Sequence, residues 1–169
     1  MDAIIGLVVT HQRPETEALC RDWEILPRKT LTYRGITLSE FDLDAALQRN
    51  PRLILLDELA HTNAPGSRHQ FRYQDVEELL LHGIDVHTTV NVQHLNSLSD
   101  IVYRITGVRV RETVPDPVLN WAHEMVLVDV TVDTLMKRFR EGKVYQGEQS
   151  HVAMRNFFTI EESLKRAYI

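Results

Sequence analysis

Hydrophobic residues follow two different periods along the chain. Continuous apolar runs rich in β-branched residues predict strands that are covered on both faces. Strands are predicted at residues 3–10, 52–59, 85–92 and 125–130. Apolar residues spaced three and four apart predict amphipathic helices. These helices are predicted at residues 13–23, 41–50, 72–83, 93–107 and 131–143. Because strands and helices alternate, we predict an α/β fold with about four parallel strands.

The remaining segments predict smaller elements. Residues 29–40 alternate between polar and apolar positions around Arg34-Gly35, which predicts a β-hairpin. An edge strand is predicted at residues 108–114, and a turn with a short helix at 115–122. The tail from residue 148 onward is predicted to be helical, with Phe157, Phe158 and Leu164 as candidate packing residues. Since there is no internal repeat or low-complexity linker, residues 1–169 are predicted to form a single domain.

Composition narrows the class of protein. The chain has 169 residues, of which 43% are hydrophobic and 25% charged, as in an ordinary globular domain. Its net charge of −5 argues against a nucleic-acid partner. The single cysteine, Cys20, has no internal disulfide partner, which favours the cytoplasm. No apolar run approaches the roughly 20 residues that span a bilayer, so we expect no direct membrane insertion of this segment.

Candidate chemistry gathers where the predicted parallel strands end. Ligands of such sheets lie beyond the carboxyl ends of the strands. This rule places four polar groups on one rim: Thr10-His11, Asp57-Glu58, Asn91-Gln93 and Asp129. The strand at 52–59 runs directly into Asp57 and Glu58. An Asp in this place can ligate Mg²⁺, and a following acid can orient a water. The alternative is that Asp57 caps the next element and Glu58 is only solvated.

The segments after two of these strands add further candidates. Residues 61–69 are crowded with polar side chains, and Arg68 there could bind a phosphate group through two hydrogen bonds. Asn91 and Gln93 could contact a γ-phosphate or a water, although Asn91 could equally cap the next helix. The alternative for the loop is a long polar turn that satisfies its own backbone. His61 and His69 have no thiol partner nearby, so a zinc site is not favoured.

A phosphate-binding loop is missing from the sequence. None of the seven glycines belongs to a G-x-x-x-x-G-K-[ST] or G-x-G-x-x-G pattern. Such a loop supplies several charge-assisted hydrogen bonds, and losing about three would remove roughly 5–9 kcal/mol of binding free energy. Micromolar binding of ATP amounts to only about 8 kcal/mol. We therefore expect this chain to bind ATP weakly or not at all, unless another segment supplies the loop.

Four stretches carry a specific resemblance to a known family. They are LLDELAHTNAPGSRH, RYQDVEELLLHGIDVHTTVNVQHLNSLSD, ITGVRVRETVPD and RFREGKVY. Together they resemble the N-terminal cytoplasmic domain of KdpD, the potassium-responsive sensor histidine kinase family, over nearly the whole chain. The resemblance implies a membrane-anchored two-component kinase, with a stress-protein-like domain, transmembrane helices and the kinase core following this domain. Through a response regulator, such a kinase tunes the expression of a high-affinity potassium pump.

The resemblance also implies a fold and a site. It implies a three-layer, P-loop-NTPase-like, mostly parallel sheet with helices on both faces, plus the β-hairpin, that binds ATP with Mg²⁺. Asp57 and Glu58 would be the Walker B pair, with Asp57 as the Mg²⁺ ligand and Glu58 as the residue that orients water. The Walker A loop of the family would lie upstream of AIIGLVVTH. His69-Gln70-Phe71 replaces the more usual His-Pro-Lys, and residues 120–123 replace a more acidic stretch.

The leading hypothesis is thus a regulatory domain whose partner is the remainder of a sensor kinase. One alternative is a slow Mg²⁺-dependent ATP hydrolase, completed by a phosphate loop outside this segment. Another is an interaction module that binds no nucleotide. If the chain is a naturally shortened member of the family, loss of the first strand and its helix would expose an apolar edge or face of the sheet, so a homodimer or another partner is then predicted.

Overall fold

The computed structural model describes residues 2–106, 109–131, 133, 134, 137 and 138. Its strands are β1 (Ala3–Leu7), β2 (Lys29–Tyr33), β3 (Ile36–Glu40), β4 (Leu53–Leu56) and β5 (Asp85–Thr88). Its α-helices are α1 (Pro14–Cys20), α2 (Leu43–Arg49), α3 (Arg72–Leu81) and α4 (Ser99–Thr106). Short 3₁₀ segments span Val92–His94, Asn96–Leu98 and Asp116–Trp121. The protein is a mixed α/β fold, as the alternating periods predict.

A parallel sheet of three strands forms the centre of the described structure. Its order is β1-β4-β5, with Leu53 of β4 beside Ala3 of β1 and Asp85 of β5. β4 is therefore the central strand. Its side chains Ile54 and Leu56 are almost fully buried in the main hydrophobic core, which also contains Leu79 of α3. The carboxyl ends of the three strands consequently meet at one edge.

Gly6 allows β1 to pack closely against its neighbours. A Cβ atom at this position would lie 2.7 Å from Cδ1 of Ile54 and 2.9 Å from Cε2 of Phe41. Both of those side chains are buried. The small residue in a run of large apolar ones is therefore required by the packing between β1, β4 and the segment after β3.

The predicted hairpin is confirmed as the antiparallel pair β2–β3. Its turn is Arg34-Gly35, with φ of 51° and 78°. Positive φ at both central positions is the geometry of the two-residue turns that match strand twist. Most side chains of the hairpin are exposed or half-buried, but Glu40 at the end of β3 is buried. The hairpin is thus joined to the core through its last residue.

Local sequence explains where two helices begin and end. Asp42 caps α2, because its carboxylate accepts a hydrogen bond from the Ala45 amide at 3.1 Å. Asn50 ends the same helix in the left-handed conformation. At α3, Gln74 accepts from the Phe71 amide at 3.0 Å, and Gly83 follows the last turn with φ of 77°.

Three predicted elements differ from the structure. Two 3₁₀ turns, Val92–His94 and Asn96–Leu98, flank the extended Leu95, and regular helix begins only at Ser99, so one helix over 93–107 is wrong. Residues 109–114 form no strand and contribute only a bridge between Val114 and Leu95. Residues 125–130 are neither a strand nor buried, and Met125 to Val128 are 70–83% exposed. The sheet therefore has three parallel strands among the described residues, not four.

Some predictions fall beyond the described residues. These are the helix end at Gly107, most of the helix at 131–143, and the helical tail with Phe157, Phe158 and Leu164. Within the described ranges, no helix is both long enough and apolar enough to span a bilayer.

Candidate functional site

A cleft of about 270 Å³ opens where the three parallel strands end. β1, β4 and β5 each lead into one part of its wall, and residues near 112 close another side. It is lined by Val9, His11, Arg13, Asp57, Glu58, Leu59, Ala60, His61, Thr89, Val90, Asn91, His94 and Glu112. Carboxylates, imidazoles and one guanidinium thus face the same space.

Asp57 ties the ends of all three strands together. Its Oδ2 accepts a hydrogen bond from the Val9 amide at 3.1 Å, beyond β1. Its Oδ1 accepts from the Glu58 amide at 3.0 Å and from the Thr89 hydroxyl beyond β5. Three protein donors therefore fix the position of this carboxylate at the edge where the strands end.

Glu58 follows in a backbone conformation that side chains rarely adopt. Its φ is 59°, in the left-handed region. The turn that it begins is closed by the His61 amide, which donates to the Glu58 carbonyl at 2.9 Å. In the part of the chain that the structure describes, the Glu58 carboxylate accepts no hydrogen bond while it lines the cleft. It is therefore available to a ligand.

The predicted site residues divide into two groups. Asp57, Glu58 and Asn91 line the cleft together. Gln93 lies outside the lining, with its side-chain amide 3.4 Å from Nε2 of His94. Arg68 is also outside, and its guanidinium pairs with Asp44 and Glu78. The structure places neither Arg68 nor Gln93 in the lining of the cleft. The contacts with phosphate that were predicted for these two residues stay predictions.

The remaining rim residues are placed as follows. His11 lines the cleft, and Thr10 donates to Glu17 at 3.4 Å. The placement of Asp129 on the same rim is wrong, because residues 125–130 do not join the sheet and Asp129 is exposed.

The side of the cleft near Glu112 is held by contacts that sequence reasoning missed. Oε1 of Glu112 accepts from the Thr62 amide at 2.8 Å, and the carbonyl of Glu112 accepts from Nδ1 of His94 at 2.8 Å. The Val114 amide donates to the carbonyl of His94 at 2.7 Å. None of these three contacts has a sequence signal, since each joins residues far apart in the chain.

A buried polar network lies directly behind the cleft, and sequence reasoning missed it too. Arg72, at the start of α3, is only 1% exposed. Its guanidinium donates to Glu40 at 3.0 Å and to the Asn63 side chain at 3.2 Å, and it lies 3.6 Å from Asp75. The sequence does contain one indication of this network, because Arg72 and Asp75 are three residues apart on one helix and can therefore pair.

Burial shifts the pKa values of Arg72 and Asp75 in this network. Removal from water lowers the pKa of Arg72, opposed by the carboxylates of Glu40 and Asp75. Removal from water raises the pKa of Asp75, opposed by the hydrogen bond from Asn63 at 2.7 Å and by the charge of Arg72. Removal from water thus disfavours the charged form of both residues, while the opposite charges around them favour it.

The donor set of the cleft fits one kind of metal ion. No group of three or more His, Cys, Asp or Glu that could hold a metal occurs among the described residues. Mg²⁺, however, keeps several waters and needs only one or two carboxylates when a phosphate ligand completes its shell. Glu58 meets that requirement, and so does Asp57, because its Oδ2 accepts a single hydrogen bond and keeps a second lone pair. The residues therefore fit a Mg²⁺ ion that arrives with a phosphate ligand.

The fold and the cleft place the chain among α/β proteins whose polar residues gather at the carboxyl ends of a parallel sheet. Residues 1–166 match the family described as the osmosensitive K⁺ channel His kinase sensor domain, KdpD. The chain belongs to this family, which confirms the resemblance.

Individual relatives agree with the family match. The chain is 57% identical to the Sensor protein KdpD of Escherichia coli over 158 residues, covering 94% of this chain and 18% of that protein. It is 51% identical to the Putative sensor protein KdpD of Synechocystis over 157 residues, covering 93% of this chain and 42% of that protein. The Sensor protein KdpD of Clostridium acetobutylicum is 51% identical over 158 residues, with coverage of 94% and 18%. The chain thus spans less than half the length of these relatives.

Proposed function

We propose that this chain is a cytoplasmic regulatory domain of a potassium-responsive sensor histidine kinase, and that its cleft binds the phosphate groups of a Mg²⁺–nucleotide, ATP first of all. The observation that carries the proposal is the exit of Asp57 and Glu58 from the central strand β4 into a cleft that Asn91 also lines. This is the position at which parallel α/β sheets bind ligands. The proposed fold is of the P-loop-NTPase type, which agrees with the parallel order β1-β4-β5.

The cleft offers limited positive charge for a triphosphate. Arg13 and the histidines His11, His61 and His94 are its basic side chains. Because the sequence contains no phosphate loop, we expect a Kd near the millimolar range, where binding is worth about 4 kcal/mol. Asn91 is the proposed neutral contact to the phosphate end of the ligand, Asp57 the proposed Mg²⁺ ligand, and Glu58 the proposed residue that orients a water of the Mg²⁺ shell.

A titration with nucleotide tests this function. We expect Mg²⁺–ATP to shift the amide resonances of residues 57–61 and 89–91 in ¹H–¹⁵N spectra of the whole chain, and ATP with EDTA to shift them less. Glu58→Gln should weaken Mg²⁺–ATP binding by about three- to tenfold, because it removes one charge from the metal side of the site. Glu77→Gln, which removes an exposed charge from α3, is the matched control.

The same titration separates the proposed function from its alternatives. If millimolar Mg²⁺–ATP shifts no resonance, the proposed function is rejected in favour of an interaction module that binds no nucleotide. Release of phosphate above the rate in buffer, lost in Glu58→Gln, would instead identify a slow hydrolase. That second function is favoured by the carboxylate of Glu58, which lines the cleft without a hydrogen bond in the described part of the chain.

We also propose two partners. The first is the remainder of a sensor kinase, because the E. coli and C. acetobutylicum relatives named as sensor proteins are much longer than this chain. The second is another copy of the chain, which would cover Met125 to Val128. Four consecutive apolar residues exposed at 70–83% are unusual on a monomer surface.

A further inference from the structure

Arg72 contacts both ends of the turn that carries the candidate acids. Its Nη1 donates to the carbonyl of Asp57 at 3.3 Å, where the turn leaves β4. Its backbone amide donates to the carbonyl of His61 at 3.0 Å, where the turn ends. One buried residue therefore holds the first and last carbonyl groups of the segment 57–61, which we call the acid turn.

Glu40 holds Arg72 and the acid turn from the other side. Its Oε2 accepts from Arg72 at 3.0 Å, while its Oε1 lies 3.0 Å from Nε2 of His61 and accepts from the Ala64 amide at 3.0 Å. Glu40 is 8% exposed and ends the hairpin strand β3. The hairpin is thus linked through Arg72 and His61 to two residues of the cleft wall.

The chemistry of arginine suits this arrangement. A guanidinium offers five donors in a rigid plane, so it can bond Glu40, Asn63 and the Asp57 carbonyl at once. A lysine ammonium is a single point at the end of a flexible stem and cannot reach the same set. Burying a guanidinium is costly unless it is paired and hydrogen-bonded, and here each of its three nitrogens donates one hydrogen bond.

We propose that Arg72, held by Glu40, is a positioning residue for the cleft. It fixes the acid turn so that Glu58 keeps its left-handed backbone and its carboxylate stays at the ligand. The role in binding rests on the proposed function, in which Glu58 contacts the Mg²⁺–nucleotide. The role in holding the turn does not depend on any ligand.

Hydrogen exchange in the free domain tests the hold on the turn. The amides of Leu59 and His61 report on the acid turn, since they donate to Thr89 and Glu58. The amides of Ile5 and Leu26 report on the sheet, since they donate to Glu24 and Ile5. Arg72→Lys should lower protection at the two turn amides by about tenfold and at the two sheet amides by less than about threefold.

Two further variants complete the exchange experiment. Asp75→Asn is the matched control, because it alters the same buried network but leaves the bonds from Arg72 to Glu40 and to the Asp57 carbonyl. It should not lower turn protection selectively. If Arg72→Lys does not fold, Glu40→Gln tests the hold of the Glu40–Arg72 pair, since it keeps the shape of the side chain and weakens its contacts with both Arg72 and His61. An equal loss at turn and sheet amides, or no loss, would overturn the proposal.

Nucleotide binding tests the consequence separately. Where the wild-type domain binds Mg²⁺–ATP, Arg72→Lys should raise the Kd about tenfold and Asp75→Asn about twofold at most. A Kd unchanged by Arg72→Lys would overturn the role in binding. If the wild-type domain binds no nucleotide, the proposed function fails, while the exchange result still decides whether Arg72 holds the turn.

Discussion

Glu58 combines a strained backbone with a carboxylate that lines the cleft and accepts no hydrogen bond within the described residues. Residues other than glycine pay about 1–2 kcal/mol for the left-handed conformation. Such outliers persist where the surrounding structure fixes them, and they concentrate at functional positions. His11 and Gln12, beyond β1, also have positive φ, at 50° and 58°. Backbone strain therefore occurs at two segments that reach the cleft, which is consistent with selection for side-chain placement over stability.

We expect Glu58→Gly to stabilise the domain. Glycine adopts φ of 59° without a Cβ penalty, so the free energy of unfolding should rise by up to about 1 kcal/mol in urea denaturation. Glu77→Gly, in the interior of α3, is the control and should lower it by about 1 kcal/mol. A Glu58→Gly variant less stable than Glu58→Ala would show that the backbone at this position is not strained.

The sequence predicts which residues reach the cleft only where the direction of a parallel strand determines their position. Asp57, Glu58 and Asn91 follow parallel strands, so the alternation of strands and helices predicts their shared edge. The side chain of Arg68 depends instead on the partners that folding brings to it. It pairs with Asp44 of α2 and Glu78 of α3, which no local pattern relates. The burial of Arg72 was not predicted, because a charged residue at the start of a helix is ordinarily exposed.

At the scale of elements, the period of the hydrophobic residues predicts a strand or helix correctly where the segment alone carries enough information to define it. β1, β4 and the hairpin were predictable because their apolar or alternating runs end at clear turns. Residues 125–130 carry the same strand signal, yet they are exposed and unpaired in the described structure. A strand also needs a neighbour for its backbone, and composition does not specify one. Residues 93–98 likewise have helical spacing but take 3₁₀ turns.

The contact between β1 and β4 gives a quantitative test of packing. Gly6→Ala should lower the free energy of unfolding by about 1–3 kcal/mol, because the new Cβ meets Ile54 and Phe41 inside contact distance. Ile54→Val removes Cδ1, the atom that lies 2.7 Å from the new Cβ, and alone should cost about 0.5–1.5 kcal/mol. Urea denaturation of both single variants and the double variant measures the coupling.

The expected sign of that coupling follows from the geometry. The double variant Gly6→Ala with Ile54→Val should lose less stability than the sum of the two single losses, because the closest of three short contacts disappears with Cδ1, while Cγ1 of Ile54 and Cε2 of Phe41 stay 2.9 Å from the new Cβ. Gly35→Ala is a useful contrast, since its Cβ would meet nothing within 4 Å and only its φ of 78° is unfavourable. Additive losses in the double variant would mean that Gly6 is required for another reason.

At the scale of the whole molecule, two surfaces are joined through the interior. The cleft and the hairpin lie on different elements, yet Glu40 and Arg72 connect the end of β3 to the acid turn. The connection is polar and buried, so loss of one partner leaves an uncompensated charge.

The exposed apolar run Met125 to Val128 predicts that the chain associates with itself. We expect a weak, concentration-dependent dimer in light scattering, because a two-fold contact would bury the same apolar strip on both copies. Leu127→Asp places a charge in the middle of that strip and should shift the chain to a monomer. Leu81→Asp removes an equally exposed leucine at the end of α3 and should leave the association unchanged. A monomer at every concentration, or a dimer that Leu127→Asp does not weaken, would show that another partner or none covers these residues.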